Sequence, residues 1–135
     1  MKDARMPEAT PSTEDLLALA ELLTGSSVRW YRGGPKGEWD SDARRISVRH
    51  GMSDAQTRST LAHELAHVVH ADPADCGGAQ EARADRFAAH LLIRVEDFVR
   101  AETVYGGDED RIAEELGVTR HLVRAWKRSV AGHPD

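Results

Sequence analysis

Residues 60–70 read Thr-Leu-Ala-His-Glu-Leu-Ala-His-Val-Val-His, which contains the motif H-E-x-x-H as His63, Glu64 and His67. At 3.6 residues per turn, His67 falls about 40° from His63 and Glu64 about 100°, while Leu61, Leu65, Val68 and Val69 gather on the far side. Two imidazoles one turn apart can set their ring nitrogens about 2.0–2.1 Å from one zinc ion. The glutamate between them then projects beside the metal without binding it, as a general base must. The pentapeptide also fits a helix carrying two ordinary histidines, so context decides. His70, about 20° from His63 on the other side, falls on the ligand face too; supporting or packing the ligands suits it better than joining them.

A catalytic zinc keeps three protein ligands and one open position, so a third ligand is expected downstream. Glu81 is the strongest candidate. It follows His67 by a 13-residue spacer containing Pro73, Gly77 and Gly78, which is long enough to reverse the chain. Asp85, one turn further on, shares its helix face and can accept a hydrogen bond from a ligand imidazole. Glu-x-x-x-Asp after H-E-x-x-H is the gluzincin arrangement. A carboxylate in a first helical turn is otherwise a common partner of the helix dipole.

The runs STLAHELAHVVH, EARADRFAAHLLI and VEDF resemble the ImmA/IrrE family of metallopeptidases, and VRWYRGGPKGEW and RRISVRHGMS resemble the strands before its metal helix. The similarity spans roughly residues 14–130. It implies metal binding by His63, His67 and Glu81, with Glu64 as catalytic base and Asp85 in support. The implied activity is zinc-dependent cleavage of a helix-turn-helix transcriptional repressor, releasing genes of a mobile element, prophage or stress regulon. Arg94 stands where the family often carries proline, which blurs the start of the following helix.

The elements that must position these groups read as an α+β chain. A helix capped at Ser12 or Thr13 and stopped by Gly25 comes first. Strands follow at 28–32, 38–40 and 46–50, the first two joined by a turn over 33–37 as a basic hairpin. Helices are expected at 53–71, 80–92, 95–104, 108–116 and 119–130. The expected organisation is a tail over 1–11 and a zincin-like core over 12–105, in which a small antiparallel or mixed sheet packs on helices. A helix-turn-helix-like segment over 106–135 packs on that core. Ala113, Gly117, Leu116, Val118, Val123 and Trp126 carry the spacing of that motif.

The 135 residues, 40% hydrophobic and 30% charged, suit one folded domain, and no run of apolar residues is long enough to span a bilayer. The opening MKDARMPEAT lacks the apolar stretch of a secretory signal, so a cytoplasmic location is expected. With 18 Lys and Arg against 23 Asp and Glu, the net charge is −5, so any nucleic-acid surface must be local. Arg120, Arg124, Lys127 and Arg128 on the last helix offer one, although packing on the core or docking a partner explains that segment better. Cys76 is alone, which excludes an internal disulfide and a multi-cysteine zinc finger; it is an ordinary free thiol or a thiolate that caps the metal.

Several alternatives stay open at this stage. His90, His121, Tyr31 and Tyr105 are candidates by type for stabilising a developing oxyanion, and none can be brought to the metal from sequence. The basic strands can hold an extended substrate by strand addition or simply face solvent. The metal can be zinc, manganese, cobalt or iron. A rival function is a metal-containing regulator that binds a repressor or DNA through its C-terminal helices without cutting; a metal-free structural protein is a third.

Overall fold

The computed structural model describes residues 9–73 and 77–132. Among them are six helices and one three-stranded mixed sheet, an α+β arrangement. Helix α1 (Thr13–Thr24) opens on a capping box in which Ser12 and Asp15 each accept from the other's backbone amide. Gly25 closes it in the left-handed conformation, as expected of a helix-stopping glycine.

Strands β1 (Arg29–Tyr31), β2 (Gly37–Asp40) and β3 (Arg45–Arg49) form the sheet, but the expected hairpin between the first two does not exist. Strand β3 lies between them, parallel to β1 with Trp30 opposite Val48, and antiparallel to β2 with Trp39 opposite Ile46. The cause is partly burial: Ile46, Ser47 and Val48 are all buried, so β3 is covered on both faces and takes the centre. The tight reversal also sits elsewhere. Asp40 Oδ1 accepts from the amides of Asp42 and Ala43, and Arg44 adopts φ 53°, which turns β2 directly into β3. The glycine-rich stretch instead carries the chain from one sheet edge to the other.

Helix α2 (Asp54–Val69) carries the motif and begins with a second capping box, Ser53 with Gln56. It stops two residues short of the expected end. His70 is its C-cap, Ala71 turns left-handed at φ 55°, and the Asp72 amide returns to the His67 carbonyl at 2.9 Å. That backbone costs a non-glycine residue about 1–2 kcal/mol. What it achieves is to bring Asp72 back to the helix it has just left.

Helices α3 (Gly78–Leu92), α4 (Val95–Tyr105), α5 (Glu109–Leu116) and α6 (Arg120–Val130) complete the chain. Arg94 holds an extended backbone at φ −85°, ψ 144°, close to what proline would impose, and α4 starts directly after it. Helix α3 packs against both α2 and α6. It buries Ala84, Ala88, Ala89 and Leu92, and the three alanines leave room for close neighbours. The core joins Leu16, Ile46, Val48, Leu61, Leu65, Leu92, Ile112 and Val123.

The turn between α5 and α6 is fastened to α2. Arg58 donates to the carbonyls of Leu116 at 3.1 Å and Gly117 at 3.0 Å, which are orphaned at the end of α5. The Thr119 amide donates to Ser59 Oγ at 3.1 Å. The start of α6 is therefore held one turn before His63. Among the described residues no helix is long and apolar enough to cross a membrane.

Candidate metal centre

Helix α2 presents His63 and His67 one turn apart, and the first turn of α3 supplies Glu81. His63 Nε2 lies 3.2 Å from His67 Nε2 and 2.8 Å from Glu81 Oε1, while His67 Nε2 lies 3.2 Å from Glu81 Oε2. Donor atoms of all three residues fall within 4.8 Å of one another. The imidazoles meet edge-on, with planes 78° apart, so their nitrogens converge.

Each imidazole is oriented from behind. His63 Nδ1 lies 2.8 Å from Asp85 Oδ1, and His67 Nδ1 lies 2.9 Å from Asp72 Oδ2. Burial alone would raise both carboxyls. Hydrogen bonds to His63 and His121 hold Asp85 below the ordinary carboxylate range, and bonds to His67 and Arg83 do the same for Asp72. An ionised carboxylate can only accept, so each Nδ1 carries a proton and each Nε2 is the ring atom left to offer a lone pair to a cation in the cluster.

This donor set fits a divalent cation. Two lone pairs and a carboxylate facing one another repel unless positive charge lies among them. The protein's own field shows the same demand. Burial opposes charge on His63, yet the Asp85 hydrogen bond, the charges of Glu64 and Asp85 and the Glu81 bond raise its pKa to about 9. Separations of 2.8–3.2 Å are close to the roughly 3.4 Å between donors around a tetrahedral zinc ion.

Glu64 stands beside this cluster and is only 7% exposed. Burial pushes its carboxyl up to about 7, against the pull of His63 and His67. A cleft of about 350 Å³, lined by Gln56, Thr60, His63, Glu64, Asp85 and His121 among others, opens on one side. A second of about 210 Å³, bordered by Pro35, Trp39, His67 and Pro73, opens on the other. Gly37, Glu64 and Glu81 line both, so the two clefts meet at the cluster of His63, His67 and Glu81.

A family model described as the IrrE N-terminal-like domain, peptidase family M78, matches residues 23–125. The chain belongs to that family. A solved structure of a Mycobacterium tuberculosis transcriptional regulator shares the fold with a TM-score of 0.63 at 22% identity, over 86% of this chain and 40% of that one. The chain thus spans less than half the length of the regulator it matches. No curated protein matches it.

Within this IrrE-like domain, His63, Glu64, His67, Glu81 and Asp85 come together, and His70 does not join them. Helix α2 ends before His70, whose Nδ1 lies 2.7 Å from the Ala66 carbonyl and whose ring meets Phe87 edge-on. The helical wheel gives the direction in which a side chain leaves the helix but not its rotamer, and this imidazole turns back to the Ala66 carbonyl. Of the four candidates considered for the oxyanion, His121 reaches the cleft, with Nε2 2.7 Å from Asp85 Oδ2. His90 instead bonds Ser129, Tyr31 donates to the Pro35 carbonyl, and Tyr105 donates to Glu115. Cys76 lies outside the described residues.

Sequence reasoning missed Asp72, because a helix drawn to residue 71 leaves the following carboxylate in a loop. The available signal was Asp72-Pro73, a helix-ending pair five residues after His67. Gly37 was also misread, as a turn residue. A Cβ there would lie 2.4 Å from Thr60 Cγ2 and 3.2 Å from Glu64 Oε2, so the glycine lets β2 approach the face of α2 that carries Thr60 and Glu64. Gly37→Ala is expected to cost about 1–3 kcal/mol through overpacking, read by urea unfolding, since the branched Thr60 has little rotamer freedom in a helix. Thr60→Ser in that background removes the struck methyl and recovers much of the loss. A Gly37→Ala variant as stable as the parent would mean that this contact does not govern the spacing.

Proposed function

We propose that the chain is a zinc-dependent endopeptidase of ImmA/IrrE type, with a zincin-like core, that cuts a helix-turn-helix transcriptional repressor and so releases mobile-element, prophage or stress genes. The observation that carries this reading is a buried Glu64 beside converging donors from His63, His67 and Glu81, where two clefts meet. Bound zinc, or another divalent ion, supplies Lewis acidity at a carbonyl and acidifies water.

The remaining work belongs to the protein. Glu64 accepts the proton of the attacking water and delivers it to the leaving amine; its burial beside the cluster keeps the carboxylate close to both groups and largely out of bulk water. Asp85 and Asp72 hold the ligand imidazoles in the tautomer that directs Nε2 inward. Strand β2, an edge of the sheet whose Gly37 touches the cleft, supports binding of an extended peptide by strand addition.

The rival reading is a metal-containing regulator that binds a repressor or DNA through its C-terminal helices without cutting, and two features weigh against its DNA-binding form. Arg124 and Lys127 pair with Glu109, and Arg120 lies 3.5 Å from Asp110, so much of the positive face of α6 is answered within the chain. Thr119 and His121, from the end of a recognition helix that would enter a groove, border the metal cleft instead.

The test is incubation of zinc-loaded protein with the helix-turn-helix repressor encoded beside it, followed by mass spectrometry. A discrete cut that disappears with a zinc chelator is expected. An intact repressor with stoichiometric, zinc-loaded protein would overturn the proposal.

A further inference from the structure

The two ligand histidines are supported by relays of the same form. His67 donates to Asp72, whose other oxygen accepts from the Arg83 guanidinium. His63 donates to Asp85, whose other oxygen lies 2.7 Å from His121 Nε2. In each, a carboxylate is held at both ends, by a ligand imidazole and by a basic side chain. They differ in origin. Arg83 belongs to α3, close in sequence to the third ligand, whereas His121 comes from the first turn of α6, 36 residues beyond Asp85.

We propose that His121 is a positioning residue of the metal centre, acting through Asp85 to hold His63 in its ligating orientation, so that α6 is a working part of the metal site. The physical reason lies in the Asp85 carboxylate. The torsion that rotates a carboxylate has a broad well, so one hydrogen bond leaves the group free to rock. A second donor on the opposite oxygen locks it, and Oδ1 then stays in line with His63 Nδ1. The Asp85 side chain is 19% exposed, so water competes weakly for the carboxylate. His121 is itself 65% exposed and contributes little to the core, which separates positioning from folding. The anchoring of the α5–α6 turn by Arg58 and Ser59 delivers His121 to this place.

This inference rests on the metal reading above but not on peptide hydrolysis, and its test reads metal affinity. Zinc affinity is measured by chelator competition for the wild type, His121→Ala, His121→Gln, Asp85→Asn and the double variant His121→Ala/Asp85→Asn, with circular dichroism to check folding. Asp85→Asn is expected to weaken zinc about 10–100-fold, as loss of a direct imidazole partner does, and His121→Ala about 3–10-fold. His121→Gln, which can return an N–H to the same oxygen, should recover most of the loss. In the double variant, removal of His121 should add less than about twofold to Asp85→Asn, because residues that act through one contact do not add. Wild-type affinity in His121→Ala would overturn the proposal, as would losses that multiply in the double variant. A wild-type protein that binds no zinc would instead defeat the metal centre itself.

Discussion

Glu64→Gln is expected to lower kcat/KM for repressor cleavage by roughly 10³-fold, equivalent to about 4 kcal/mol of barrier, while zinc content stays at the wild-type level. Glutamine has nearly the same shape and cannot accept the proton of the attacking water. Glu64 touches no Nδ1 relay, so the support of His63 and His67 by Asp85 and Asp72 survives the change. Stability should hold or rise. Burial raises the folded carboxyl to about 7 from an ordinary value of 4.5, so ionisation above that range works against the fold, and an amide removes the penalty. The checks are steady-state cleavage, metal analysis and thermal unfolding on one preparation. Undiminished cleavage would place the base elsewhere; loss of zinc would make Glu64 a structural support of the cluster.

Zinc at about a thousand times its dissociation constant is expected to stabilise the wild type by about 4 kcal/mol, a rise of roughly 10–20 °C in Tm for a chain of this size. His67→Ala should abolish that rise. It removes one of three donors, and it also strips Asp72, a buried carboxylate, of its imidazole partner. The variant should therefore start about 1–3 kcal/mol less stable in chelator, from the polar group left without its partner. Thermal melts with zinc and with chelator, for both proteins, separate the two effects. A zinc-induced rise of wild-type size in His67→Ala would exclude His67 from the ligand set.

Much of this molecule was legible before any coordinates. The order and type of the helices followed from capping residues, glycine stops and apolar periodicity, because these act within a turn or two of the chain. The convergence of His63, Glu64 and His67 is equally local, being fixed by the period of one helix. Glu81 and Asp85 could be picked out because the same period relates them to each other, and a reversal over 13 residues is short.

What sequence could not supply lies at the ends of elements and across the fold. The end of α2 decided that Asp72 would stand behind His67, and the left-handed Ala71 that returns it there has no strong signature in residue type. The sheet order was misjudged because glycines announce a turn without saying which strand the chain will meet beyond it. Gly37 has its reason in Thr60 and Glu64, and His121 in Asp85, partners 23 to 36 residues away. Short-range periodicity thus wrote the chemical face of α2 into the chain. Its backing, from β2, the α2–α3 reversal and the first turn of α6, depends on packing between distant segments, which no local preference encodes.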